Sequence, residues 1–99
     1  MAAAPRIVVI GGPNLNLLGK REPEVYGRVS WAELEGMCKR WAEELGFSLD
    51  FFQSNVEGEI VDMIQAAARS AGIVLNAAAY THTSVAIRDA VAALSIPVI

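Results

Sequence analysis

Short apolar runs without a helical period recur along this chain, and each is followed by a segment that has one. Residues 6–10, Arg-Ile-Val-Val-Ile, form an apolar, β-branched run, the kind buried on both faces of a parallel sheet. Residues 47–53 are rich in aromatics and free of breakers, and residues 73–75 are Ile-Val-Leu; both read as strands. Between the first two runs, Trp31, Leu34, Cys38, Trp41 and Leu45 follow helical spacing. Ser30 and Glu33 form a capping box before them and Gly46 stands where a C-terminal glycine belongs, so the spacing predicts a helix over 30–45. Ile60, Met63, Ile64, Ala67, Ala68 and Ala71 line a second helical face, with a cap signal over 54–57 and Gly72 closing it. Residues 84–94 give a third helix, with Ile87, Ala90, Val91 and Leu94 on one side, and residues 96–99 begin a fourth strand. This alternation predicts an α/β fold, a flavodoxin-like parallel sheet wrapped by right-handed crossovers in the order 2-1-3-4.

Ninety-nine residues predict one domain, spanning 1–99. A hydrophobic share of 54% argues against disorder. The net charge of −3 supplies no basic footprint for nucleic acid. Cys38, the single cysteine, excludes an internal disulfide and a thiolate metal cluster and suits a reducing cytosol. Residues 1–5 read as a frayed tail, and the apolar run after Arg6 stops at Gly11-Gly12-Pro13, which is not the layout of a signal peptide. No apolar stretch approaches the roughly 20 residues that span a bilayer. The expectation is a soluble, cytoplasmic domain. The sheet stops on an apolar strand with no covering helix, which would leave an open edge, and this predicts a domain shortened at its C-terminal side.

The connection over residues 11–26, GGPNLNLLGKREPEVY, is far longer than the roughly 2–6 residues usual between strand and helix in α/β units. It is crowded with polar groups, among them Asn14, Asn16, Lys20, Arg21 and Tyr26. Open α/β sheets bind ligands outside the carboxyl ends of their strands, where connections diverge. In the order 2-1-3-4 that crevice has two rims, the 11–29 loop and the 76–83 loop. These are the two most polar loops in the chain.

Several nucleotide readings fail. GGPN is not GxGxxG, and Gly19-Lys20-Arg21 lacks the serine or threonine and the glycine spacing of a P-loop. No acidic pair follows the first strand, and Asn76 rather than aspartate follows the third, which argues against a phospho-acceptor domain. His82 has no second histidine or cysteine nearby, so no metal site is expected. What remains is a phenol, a guanidinium and amides. A cation within about 4–6 Å favours the phenolate of a tyrosine, so Tyr26 beside Arg21 is a candidate general base for removing a proton α to a carbonyl. Asn14 and Asn76 can hold water or substrate hydroxyls, and His82 and Thr83, near a helix N-terminus, can hold a carboxylate. Each also has an ordinary reading: Tyr26 as a loop anchor, Arg21 as a solvated charge or partner of Glu22 or Glu24, His82 as a capping residue. Arg88-Asp89 reads as an exposed helical pair, and Cys38 and the tryptophans as core.

Taken together, GPNLNLLGKREPEVYG at residues 12–27 and LNAAAYTHTSVAIRDA at residues 75–90 resemble the type II 3-dehydroquinate dehydratases, the type II dehydroquinases of the shikimate and quinate pathways. The resemblance covers nearly the whole chain. It implies a flavodoxin-like fold and a lyase that converts 3-dehydroquinate to 3-dehydroshikimate by trans-dehydration through an enolate, without metal or cofactor. By position, Tyr26 would be the base and Arg21 the cation that lowers its pKa. Asn14 would hold the water at the developing enolate, and Asn76 and His82 would bind substrate. Asp89 would reach a substrate in a neighbouring subunit of a homo-dodecamer, a tetramer of trimers, and the loop carrying Arg21 and Tyr26 would close as a lid.

Two departures stand out. Ala77-Ala78-Ala79 replaces the Pro-Gly or paired glycines usual in the family, a change expected to stiffen the loop with mild effect. The family also continues past the fourth strand with Glu-Val-His, a Ser-Asn pair, an arginine and a last strand and helix, none of which has a counterpart here. That histidine is the family's general acid, so residues 1–99 taken alone are expected to turn over poorly or not at all and to be poorly soluble. The competing expectations are a non-catalytic small-molecule-binding or assembly module on the same scaffold, and a lyase of different specificity.

Overall fold

A computed structural model describes residues 4–99, with the side chain of Tyr26 outside the described residues. Three strands form a parallel sheet in the order β2-β1-β3: β1 (Arg6–Gly11), β2 (Ser48–Gln53) and β3 (Gly72–Asn76). Val8 stands opposite Asp50 and Ile73, and Ile10 opposite Phe52 and Leu75. Residues 97–99 lie parallel to β3 in the fourth position. Ile73 N donates to Pro97 O at 3.0 Å, Ile99 N to Ile73 O at 3.0 Å and Leu75 N to Ile99 O at 2.8 Å. The expected order 2-1-3-4 is therefore the observed one, the last member being a single bridge at Val98.

The helices are α1 (Pro23–Tyr26), α2 (Trp31–Glu44), α3 (Glu57–Ala66) and α4 (Val85–Ala92), with 3-10 turns at Leu15–Leu17 and Ala78–His82. Ser30 caps α2, its side chain accepting from Glu33 N at 3.1 Å. The reciprocal half of the capping box differs from expectation: Glu33 Oε1 takes the Ser30 hydroxyl, at 3.3 Å. Gly46 closes the helix at φ +83°, the left-handed conformation that glycine adopts without steric cost.

Because side chains alternate along a strand, β1 serves two faces. Val8 and Ile10 join Ile73 on one face and meet Ile60, Ile64 and Ala67 from the α3 segment and Ile87 from α4. Ile10, Ile60 and Ile64 are each 0% exposed, and burying such a side chain contributes about 1.5–3 kcal/mol. The other face carries Ile7, Val9, Leu49, Phe51 and Val74, which with α2 line an apolar groove of about 360 Å³. Trp31 packs there against Phe51, ring centroids 4.5 Å apart and planes tilted by 42°.

This second face corrects the reading of Cys38 and the tryptophans as core. Trp41 is 51% exposed, Leu45 73% and Val74 42%, because α2 lies over β1 and β2 and no described element covers the outer face of β3. Cys38 lines the groove half-buried, and burial pushes its thiol pKa up, which favours the neutral thiol.

The second helical segment is also shorter than its spacing predicts. It ends at Ala66 with Ala67 as C-cap, and Ser70 Oγ donates to Ala67 O at 2.7 Å, turning the chain. Gly72 is the first residue of β3, not a helix stop. The cap at the start of α3 differs as well. Val56 is the N-cap, while Ser54 Oγ accepts from Val56 N at 2.9 Å and donates to Glu59 Oε2 at 2.6 Å.

Candidate active site

The site begins where β1 ends. Gly11 and Gly12 are buried, and Gly12 N donates to Asn76 O at 2.7 Å, so the two loops leave the sheet side by side. A Cβ on Gly12 would lie 2.4 Å from Ala77 O, closer than any side chain tolerates. This close approach, rather than any glycine motif, explains the residue.

Beyond Pro13 the long connection is folded rather than extended. Asn14 adopts φ +69°, a left-handed angle that asparagine reaches more readily than most residues, and begins the 3-10 turn. Lys20 N and Arg21 N both donate to Leu17 O, at 3.0 and 3.1 Å. Gly19, at φ +81°, lies where a Cβ would meet Arg28 O at 2.8 Å, which brings the outgoing and returning halves together. Pro23 opens α1 at its N-terminal end, where a missing N–H costs nothing.

The facing rim starts at Asn76, whose Oδ1 accepts from Ala78 N at 3.1 Å, an Asx-type turn. The chain then coils through the 3-10 turn to His82, and Ser84 caps α4 by accepting from Ile87 N at 3.0 Å. Between the rims is a cavity of about 180 Å³ lined by Pro13, Asn14, three leucines, Arg21, Ala78 and Ala79. Six of these eight lining residues are apolar, and the polar groups are the Asn14 amide and the Arg21 guanidinium, the latter a side chain suited to carboxylates.

Of the residues singled out from sequence, Asn14 and Arg21 share this cavity. Asn76 stands at its edge, shaping the second rim through Ala78 and lining the apolar groove on the other side. His82, Thr83 and Asp89 are exposed and do not line the cavity. The Tyr26 side chain lies outside the described residues. Among those residues no cluster of three His, Cys, Asp or Glu side chains is placed to hold a metal ion, and no helix is long and apolar enough to cross a membrane.

Three residues that the sequence reading passed over tie the rims together. Asn55 Oδ1 accepts from Asn14 N at 2.9 Å and from Gln53 Nε2 at 3.0 Å. Gln53 Nε2 also donates to Gly12 O at 3.1 Å, and the Tyr80 hydroxyl donates to Asn55 O at 3.0 Å. Their signal in the sequence was position alone: Gln53 and Asn55 at the carboxyl end of the second strand and Tyr80 in the loop after the third, where the crevice lies.

A parallel α/β sheet in the order β2-β1-β3, with a cavity between the loops that follow its first and third strands, places the chain in the flavodoxin-like class of fold. The dehydroquinase class II family matches residues 5–99. The 3-dehydroquinate dehydratase of Azorhizobium caulinodans is 57% identical over 93 residues, 94% of this chain and 63% of its own length. The catabolic 3-dehydroquinase 1 of Aspergillus terreus is 60% identical over 94 residues, 94% of this chain and 62% of its own. The crystal structure of a type II dehydroquinase from Butyrivibrio crossotus superposes with a TM-score of 0.92 at 44% identity, over 96% of this chain and 68% of that one. The chain belongs to the class II dehydroquinase family. It spans about 63% of the length of the curated relative from Azorhizobium.

Proposed function

We propose that this chain supplies the enolate-forming part of a 3-dehydroquinate dehydratase. The observation that carries the reading is the pairing of Asn14 and Arg21 on one wall of the cavity with Ala78 and Ala79 on the other, in a member of this family. Tyr26, as phenolate, takes the proton from the carbon α to the substrate ketone, and the C–H electron pair becomes the enolate. Arg21 favours the phenolate by its charge and steadies the growing negative charge. Asn14 holds a water against the enolate oxygen, Asn76 takes a substrate hydroxyl, and His82 and Thr83 hold the substrate carboxylate. The enolate then expels the β-hydroxyl, which leaves as water on receiving a proton from an acid. In the family that acid is a histidine after the fourth strand, without a counterpart in residues 1–99. A homo-dodecamer in which exposed Asp89 reaches a neighbour's substrate is part of the same proposal.

Two readouts separate the steps. Enolate formation exchanges the substrate's α-hydrogen with deuterium from the solvent, seen by proton NMR, and complete dehydration produces an enone that absorbs in the ultraviolet. The expected result is exchange by the wild-type chain and its loss by a factor of about 10²–10⁴ in Tyr26→Phe, with the fold unchanged by circular dichroism. Heat of substrate binding without exchange or enone would instead identify a non-catalytic binding module.

A further inference from the structure

We infer that Asn55 is the positioning residue that sets the two rims of the cavity against each other, an assignment that deepens the dehydratase reading and rests on it for its catalytic consequence. Three bonds converge on this one residue. Its side-chain oxygen receives the Asn14 amide at 2.9 Å and the Gln53 amide at 3.0 Å, and its backbone carbonyl receives the Tyr80 hydroxyl at 3.0 Å. One rim is thus held by the side chain and the other by the main chain.

The residue is a firm anchor because its neighbours are fixed. Ser54, 5% exposed, donates its amide to Gly11 O at 3.0 Å, and its hydroxyl binds Val56 N and the Glu59 carboxylate. What it holds is strained: Asn14 sits at φ +69°, a conformation that persists only when the surroundings enforce it. The Asn55 acceptor supplies that enforcement. Losing it lets Asn14 relax toward negative φ and carries its side chain away from its place in the cavity lining. Asn55 itself does not line the cavity, so its effect passes through Asn14 and Tyr80 and not through substrate contact.

The role requires only an acceptor, which makes the conservative variant informative. In Asn55→Ala, hydrogen exchange at the Asn14 amide is expected to quicken roughly tenfold, as for loss of one hydrogen bond. The rate of substrate α-hydrogen exchange is expected to fall by about 10- to 100-fold with KM nearly unchanged, the signature of a misplaced transition-state group. Asn55→Asp keeps the acceptor oxygen and should restore both. Tyr80→Phe releases the second rim alone and should leave Asn14 amide exchange as in wild type. An Asn14 amide indifferent to Asn55→Ala, or an aspartate that fails to rescue it, overturns the assignment. A wild-type chain inert toward 3-dehydroquinate overturns the dehydratase reading instead, and the clamp then stands or falls on the Asn14 amide.

Discussion

Ala78 holds a backbone angle that alanine rarely takes, φ +52°, in the middle of the Ala77-Ala78-Ala79 run. The Asn76 side chain keeps it there by accepting its amide. The departure expected merely to stiffen the loop therefore falls on a single strained residue in the cavity wall. Left-handed alanine costs roughly 1–2 kcal/mol, while glycine loses about 0.5–1 kcal/mol of chain entropy. Ala78→Gly is expected to stabilise the chain by about 0.5–1 kcal/mol, read as a higher midpoint in urea unfolding; a lower midpoint would contradict the strain. At this scale Asn14 and Arg21 were legible as polar residues in an over-long loop. Gln53, Asn55 and Tyr80 were not, because their meaning lies in bonds across 41 residues to Asn14 and Gly12 and 25 residues between Asn55 and Tyr80. No local pattern encodes such pairs.

Among the elements, α2 follows its sequence signals most closely, since both of its ends are set by near neighbours. Ser30 accepts from Glu33 N and Gly46 leaves in the left-handed region. Ser30→Ala removes the cap and is expected to cost about 1 kcal/mol, measurable as a loss of thermal stability, while Ser30→Asp keeps it. The segment after Ala66 shows the opposite case. Alanines at 67, 68 and 71 continue the helical spacing, but Ser70 folds back on Ala67 O, and Ala71 N donates to Arg6 O at 2.7 Å. Pairing with β1 takes the chain away from the helix. A distant strand outweighs a good local propensity, as tertiary context commonly does.

The whole molecule is asymmetric about its sheet. One face is sealed by α3 and α4 around Val8, Ile10, Ile60, Ile64 and Ile73, while the other keeps an open groove beside α2. Substitutions of similar chemistry should therefore differ sharply between them. Ile64→Ala opens a cavity in a filled core and is expected to cost about 2–5 kcal/mol. Trp41→Ala, at a side chain 51% exposed, should cost well under half as much, with both values taken from denaturant unfolding. Equal costs would mean that the groove is filled in solution.

The kinds of element, their order and the parallel sheet were readable in residue types and spacing, because propensity, capping and periodicity act over a few neighbours. Spacing marks an apolar stripe but is silent on whether anything covers it, so Trp41 and Ile64 looked alike until the sheet had two unequal faces. The same holds for the site. The polar loop was visible in the chain, but parallel pairing of strands distant in sequence brought Asn14, Asn55 and Tyr80 together, and only the folded chain could decide that.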